Sequence, residues 1–230
     1  KLPFGSEIFS LPERVPVGAS AKGQCIAMPT IEGRKVWAAS AFLPSGYLRT
    51  YLPGYQNREA VQRLSLWAYA GVAMIGDDFY APGIRIDEDP RSDPALHTND
   101  AELARAVSRI KKEYPKNRLV GQLARCGQEY RCLCARNFFL SRYEAPIPTS
   151  PVCNARCLGC LSYQQKEVSG FCESQYRLEF APEPEEIAQV ILHHFERVDN
   201  AVASFGQGCE GEPLLRGKAL SKAIRMVREK

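Results

Sequence analysis

Three cysteines in the run Val152-Cys153-Asn154-Ala155-Arg156-Cys157-Leu158-Gly159-Cys160 constrain this chain more than any other feature. Their C-x-x-x-C-x-x-C spacing follows directly on the extended run Ala145-Pro146-Ile147-Pro148-Thr149-Ser150. Soft thiolate ligands so close together can hold three irons of a cubane cluster on one loop, leaving the fourth iron open to a small molecule. Two other readings stay open on spacing alone. Short C-x-x-C units also bind structural zinc, although a zinc site normally takes a fourth ligand at similarly tight spacing. Here the next cysteine is Cys172. Cysteine is also a small core residue, which allows inert or paired thiols.

A second motif lies downstream. Val202-Ala203-Ser204-Phe205 reads as a short buried strand running into Gly206-Gln207-Gly208-Cys209-Glu210-Gly211-Glu212-Pro213 and then a helix. Glycine at a strand end lets backbone groups approach a ligand closely. Glu212 adds a carboxylate able to accept from a ligand ammonium. An ordinary strand-to-helix turn is the plainer alternative.

Taken together, Cys153, Cys157 and Cys160 with Gly211-Glu212-Pro213 resemble the radical S-adenosylmethionine (SAM) enzyme superfamily, over about residues 145–230. Two positions depart from that pattern: Gly159 stands where an aromatic residue is usual, and Glu210 where the first glycine is usual. The resemblance implies a [4Fe–4S] cluster on the three cysteines and SAM held by Gly211, Glu212 and Pro213. It implies an electron donor such as flavodoxin or ferredoxin, whose electron would cleave SAM to a 5′-deoxyadenosyl radical. That radical would abstract hydrogen from a substrate the sequence does not name. The alternative is a non-catalytic iron–sulfur or zinc-binding module. Reduced, deprotonated cysteine suits a reducing cytoplasm.

The implied fold is α/β. An N-terminal α+β domain over 1–144 would precede the first βα units of a TIM-like partial barrel over 145–230. A βα repeat takes roughly 30 residues and a complete eight-fold barrel about 250, so the sequence reads as a fragment with room for about two repeats. It begins at Lys1 without methionine and stops within the helical spacing of Leu220, Ala223, Ile224 and Val227. No apolar run reaches membrane-spanning length. An odd set of nine cysteines argues against a secreted disulfide framework.

Upstream, the apolar runs 66–75 and 79–86 around Gly76-Asp77-Asp78 predict a β-hairpin, with an edge or bulge at Pro82-Gly83. Residues 25–28 and 35–39 predict another pair around Glu32-Gly33, and Trp67, Tyr69 and Phe79 read as core. Asn99 with Glu102 predicts a capped helix bearing Leu103, Ala106, Val107 and Ile110, stopped at Pro115. A second helix is expected over 119–124 and a third over 185–197, with one of His193 and His194 half-buried and the other solvated. Cys126, Cys132 and Cys134 suit an auxiliary cluster or, more plainly, buried thiols. Residues 98–145 carry ten Arg or Lys against five acids, an excess compatible with a phosphate-bearing partner such as RNA or with a solvated helical face.

Overall fold

The computed structural model describes residues 1–20, 22–59, 61–90, 93–166 and 170–230. It divides into two compact units, Lys1–Thr98 and Asn99–Lys230. Among the described residues no helix is long and apolar enough to cross a membrane.

The first unit is made of short strands: β1 (Glu7–Leu11), β2 (Arg14–Ala19), β3 (Cys25–Ala27), β4 (Thr30–Ile31), β5 (Arg34–Lys35), β6 (Ala38–Phe42), β7 (Tyr47–Arg49) and β8 (Tyr55–Asn57). It continues with β9 (Leu64–Ser65), β10 (Tyr69–Ala70), β11 (Ala73–Ile75), β12 (Asp78–Tyr80) and β13 (Gly83–Arg85). β1, β6 and β10 form one three-stranded sheet, and β3, β2 and β8 another. The hairpin around Gly76 is present but short, pairing Ala73 with Tyr80 and Ile75 with Asp78. Gly76 takes φ 61°, the left-handed backbone such a tight turn requires. Pro82 ends the second strand, and Gly83–Arg85 pairs with β7 instead. At Glu32-Gly33 a turn does form, but it joins β4 to β5, while Cys25–Ala27 pairs with β2. Trp67 and Phe79 are not core: they are 42% and 48% exposed. Trp67 instead meets Phe9 and Phe42 edge-on at the surface, the arrangement ring quadrupoles favour.

The second unit holds the large core. α1 (Asp100–Glu113) begins at Asn99, whose side chain accepts from the Glu102 N–H, and its buried residues are Leu103, Ala106, Val107 and Ile110. α2 (Arg118–Gln128) is capped by Asn117 and outruns the expected segment. α3 (Leu133–Phe139) was not legible in the sequence; it buries Phe138 and Phe139. Next come β14 (Glu144–Pro146), the short strand β15 (Phe171–Cys172), α4 (Pro184–Phe195), β16 (Val202–Ser204) and α5 (Gly217–Arg228). β14 and β16 are parallel, pairing Glu144 with Val202 and Pro146 with Ser204, and the Ile147 N–H continues the ladder to the Ser204 carbonyl at 2.8 Å. α1, α2, α3, α4 and α5 all place apolar residues in one core with Ala145 and Ile147. Each buried aliphatic side chain there contributes on the order of 1.5–3 kcal/mol.

Two expectations fail at this level. The described strands form only small open sheets of two or three strands, and β14–β16 is a single parallel pair, so the TIM-like partial barrel is not the fold. A strand–helix–strand pattern fixes one parallel pair locally, whereas barrel closure needs many strands in consistent stagger. His193 and His194 are both buried, at 3% and 1% exposure, because both face the aromatic layer of Phe138.

Candidate functional site

The chain's chemically richest surface lies at the carboxyl ends of β14 and β16, where loops following parallel strands open side by side. One loop carries the cysteines and the other runs from Gly206 to Pro213. Glu210 joins them. Only 4% exposed, its carboxylate accepts from the Thr149 N–H (2.6 Å), the Thr149 hydroxyl (3.0 Å) and the Ser150 N–H (3.0 Å) through one oxygen. The other oxygen accepts from the Gly206 and Gln207 N–H groups, both at 2.9 Å. A buried carboxylate is costly unless its lone pairs are filled, and five donors fill them here.

The two loops are then laced together through backbone. Gly211 N–H donates to the Ser150 carbonyl at 2.6 Å and Glu212 N–H to the Val152 carbonyl at 2.9 Å. A β-carbon on Gly211 would overlap the Val152 carbonyl, so only glycine permits this approach. Glu212 is committed locally: its carboxylate caps the 3-10 turn Pro213–Arg216 by accepting from the Leu214 N–H at 2.9 Å. Gly211, Glu212 and Pro213 thus brace the cysteine loop and start a helical turn.

Within the cysteine loop, Cys157 is exposed while Cys153 and Cys160 are half-buried. Gln164, itself buried, donates to the carbonyls of Leu158 (3.1 Å) and Cys160 (2.6 Å) and so sets the shape of the 158–164 turn. Arg177 reaches back to this turn, with Nη2 3.3 Å from Cys160 Sγ and Nε 3.3 Å from Ser162 Oγ. Its guanidinium also lies over the Tyr163 ring, 5.5 Å from the centroid. Burial pushes the Cys160 thiol up, but the Ser162 N–H and hydroxyl and the Arg177 guanidinium outweigh it, and its pKa falls below the ordinary thiol value.

A second set of thiols includes Cys209 of the same 206–213 loop. Cys126 and Cys209 are buried in a small cluster with Ala135, flanked by Tyr130 and Cys132. Cys132 is drawn down to about 6, first by a hydrogen bond from the Cys134 thiol, which is itself held above the usual range. Sequence spacing did not connect Cys209 to Cys126; only the tertiary fold brings them together.

The metal expectations do not hold. Among the described residues no three His, Cys, Asp or Glu side chains stand together in a way that could hold a metal ion, and Cys153, Cys157 and Cys160 are all among them. A spacing of three and two residues puts thiols on one loop without turning them to one point. The [4Fe–4S] cluster and the zinc alternative, SAM as a cofactor, and the radical SAM enzyme that rested on them are therefore corrected. Part of the cationic excess is paired within the unit: Arg136, 3% exposed, bonds the Gly127 carbonyl and Asp100, and the half-exposed Arg118 pairs with Glu186. Compared with protein-family models, curated proteins and solved structures, the chain matches none.

Proposed function

We propose that the second unit serves in thiol–disulfide exchange, with Cys160 as the attacking thiolate and Cys157 as the resolving thiol. The observation that carries this reading is the Arg177 guanidinium 3.3 Å from Cys160 Sγ. It acts on the second cysteine of a C-x-x-C placed between two parallel strands and their connecting helix, a context suited to redox-active dithiols. A nearby cation raises the thiolate fraction, and the thiolate is the nucleophile. The exposed neighbour Cys157 is joined through the Cys160 N–H to Cys157 carbonyl bond of 3.3 Å.

The chemistry balances without a further cofactor. Cys160 thiolate attacks one sulfur of an incoming disulfide, forming a mixed disulfide and releasing one thiolate. Cys157, deprotonated, then attacks the Cys160 sulfur, forming the Cys157–Cys160 bond and releasing the second thiolate. The incoming disulfide is reduced and the protein dithiol oxidised. Return to the dithiol needs a reducing thiol pool, and a reducing compartment such as the cytoplasm would supply one. The partner is a small-molecule or peptide disulfide able to reach the exposed edge at Leu158.

Iodoacetamide alkylation followed residue by residue across pH tests the reading. Cys160 is expected to alkylate at lower pH than Cys157, and Arg177→Gln to move its profile upward and slow its reaction several-fold near neutrality. Oxidised glutathione should yield the Cys157–Cys160 disulfide with release of two glutathiones. A Cys160 profile indifferent to Arg177→Gln, with no Cys157–Cys160 bond formed, would rule the reading out.

A further inference from the structure

The pair Cys126 and Cys209 falls outside the exchange site and has its own geometry. Cys126 lies in the last turn of α2, and Cys209 in the loop that follows β16. They are 2% and 7% exposed and share one cluster with Ala135. Both side chains are packed into that one cluster, and Gln122 Nε2 donates to Cys126 Sγ at 3.4 Å. Both backbones are pinned: the Cys132 N–H donates to the Cys126 carbonyl at 3.0 Å, and the Leu178 N–H to the Cys209 carbonyl at 2.7 Å. Two buried thiols packed in one cluster on fixed backbones need little movement to bond covalently.

We propose that Cys126 and Cys209 form an intramolecular disulfide under peroxide, fastening α2 to the loop that carries Glu210 and Gly211. The roles within the pair are unequal. Hydrogen bonding to Cys126, together with burial, keeps the Cys209 thiol protonated, while the bond received from Cys209 lowers Cys126. Cys126, once deprotonated, attacks the peroxide oxygen, giving a sulfenic acid and hydroxide, which takes up a proton to become water. The Cys209 thiol then attacks the sulfenic sulfur, the S–S bond forms, and a second water leaves. Two thiols and one hydrogen peroxide become one disulfide and two waters. Because Cys209 adjoins Glu210, the bond would fix the residue that staples the two loops at the carboxyl edge. It would also bridge residues far apart in sequence, the case in which a cross-link most restricts the unfolded chain.

The test is hydrogen peroxide treatment of the full chain, followed by non-reducing peptide mapping and thermal unfolding. A Cys126–Cys209 linked peptide is expected, with the midpoint of the second unit raised by about 5–10 °C and restored by dithiothreitol. Cys126→Ala and Cys209→Ala should each abolish the rise, while Cys160→Ser should leave it intact, so failure here and failure of the exchange reading are told apart. Linkage of Cys126 to Cys132, linkage of Cys132 to Cys134, or oxidation of Cys126 to a sulfinic acid with no cross-link would each overturn the proposal.

Discussion

At Glu210 and Glu212, two carboxylates two residues apart have opposite weights. Glu210 sits buried with five donors, whereas Glu212 caps a short exposed turn through one. Glu210→Gln keeps the shape but turns an amide N–H₂ toward backbone donors, so it should cost about 2–3 kcal/mol, in line with lost charge-assisted bonds. Glu212→Ala should cost about 1 kcal/mol, the usual worth of a cap. Urea unfolding of both variants checks the order, and equal losses would contradict the assignment. By spacing alone Glu210 stands as a departure from glycine and Glu212 as the functional carboxylate; burial and donor count belong to the fold and leave no mark on local spacing. Gly211 is legible as a close-approach glycine, and what it approaches is the Val152 backbone.

Among the elements, α1, α2 and the β14–α4–β16 unit could be read from caps and periodicity. Asn99 accepts from the Glu102 N–H, and Glu186 accepts from the Glu183 N–H at 2.9 Å, as sequence patterns of this kind suggest. α3 could not, since seven residues in Leu133–Phe139 give too few turns for a period to emerge. That missing helix explains the histidines: its Phe138 lies 5.5 Å from His193 and 6.2 Å from His194, ring centre to ring centre. Burial lowers both imidazole pKa values; Arg197 adds to this at His193 while Glu113 opposes it. The folded chain thus binds fewer protons than the unfolded one between the depressed folded pKa and the unfolded value near 6.5. Stability from this source is complete above that unfolded value and is lost as pH falls through it toward the folded pKa. Urea midpoints from pH 7.5 to 5 should decline, and His194→Leu should flatten the decline. An unchanged slope in that variant would show that its neutral state does not matter to folding.

Across the whole molecule, the local strand–helix–strand signal does not extend to a barrel, because closure is a property no single repeat encodes. What the chain builds instead is uneven. Among the described residues the core of Asn99–Lys230 gathers seventeen buried residues from five helices, β14 and Ile147 just after it, while the cluster around Ala41, Leu43 and Ala70 gathers three. Hydrophobic burial scales with the area removed from water, so the second unit should carry most of the stability. Its length also falls within the usual range of independent domains. Residues 99–230 expressed alone should therefore keep their helical circular dichroism and unfold in one cooperative transition, with stability in the usual range of about 5–15 kcal/mol. Residues 1–98 alone should unfold with a shallow, weakly cooperative profile, since short strands over small cores hold little apolar area. If the 99–230 piece lacked a cooperative transition while 1–98 kept one, stability would have to originate in the strands, and the large helical core would not be the folding unit.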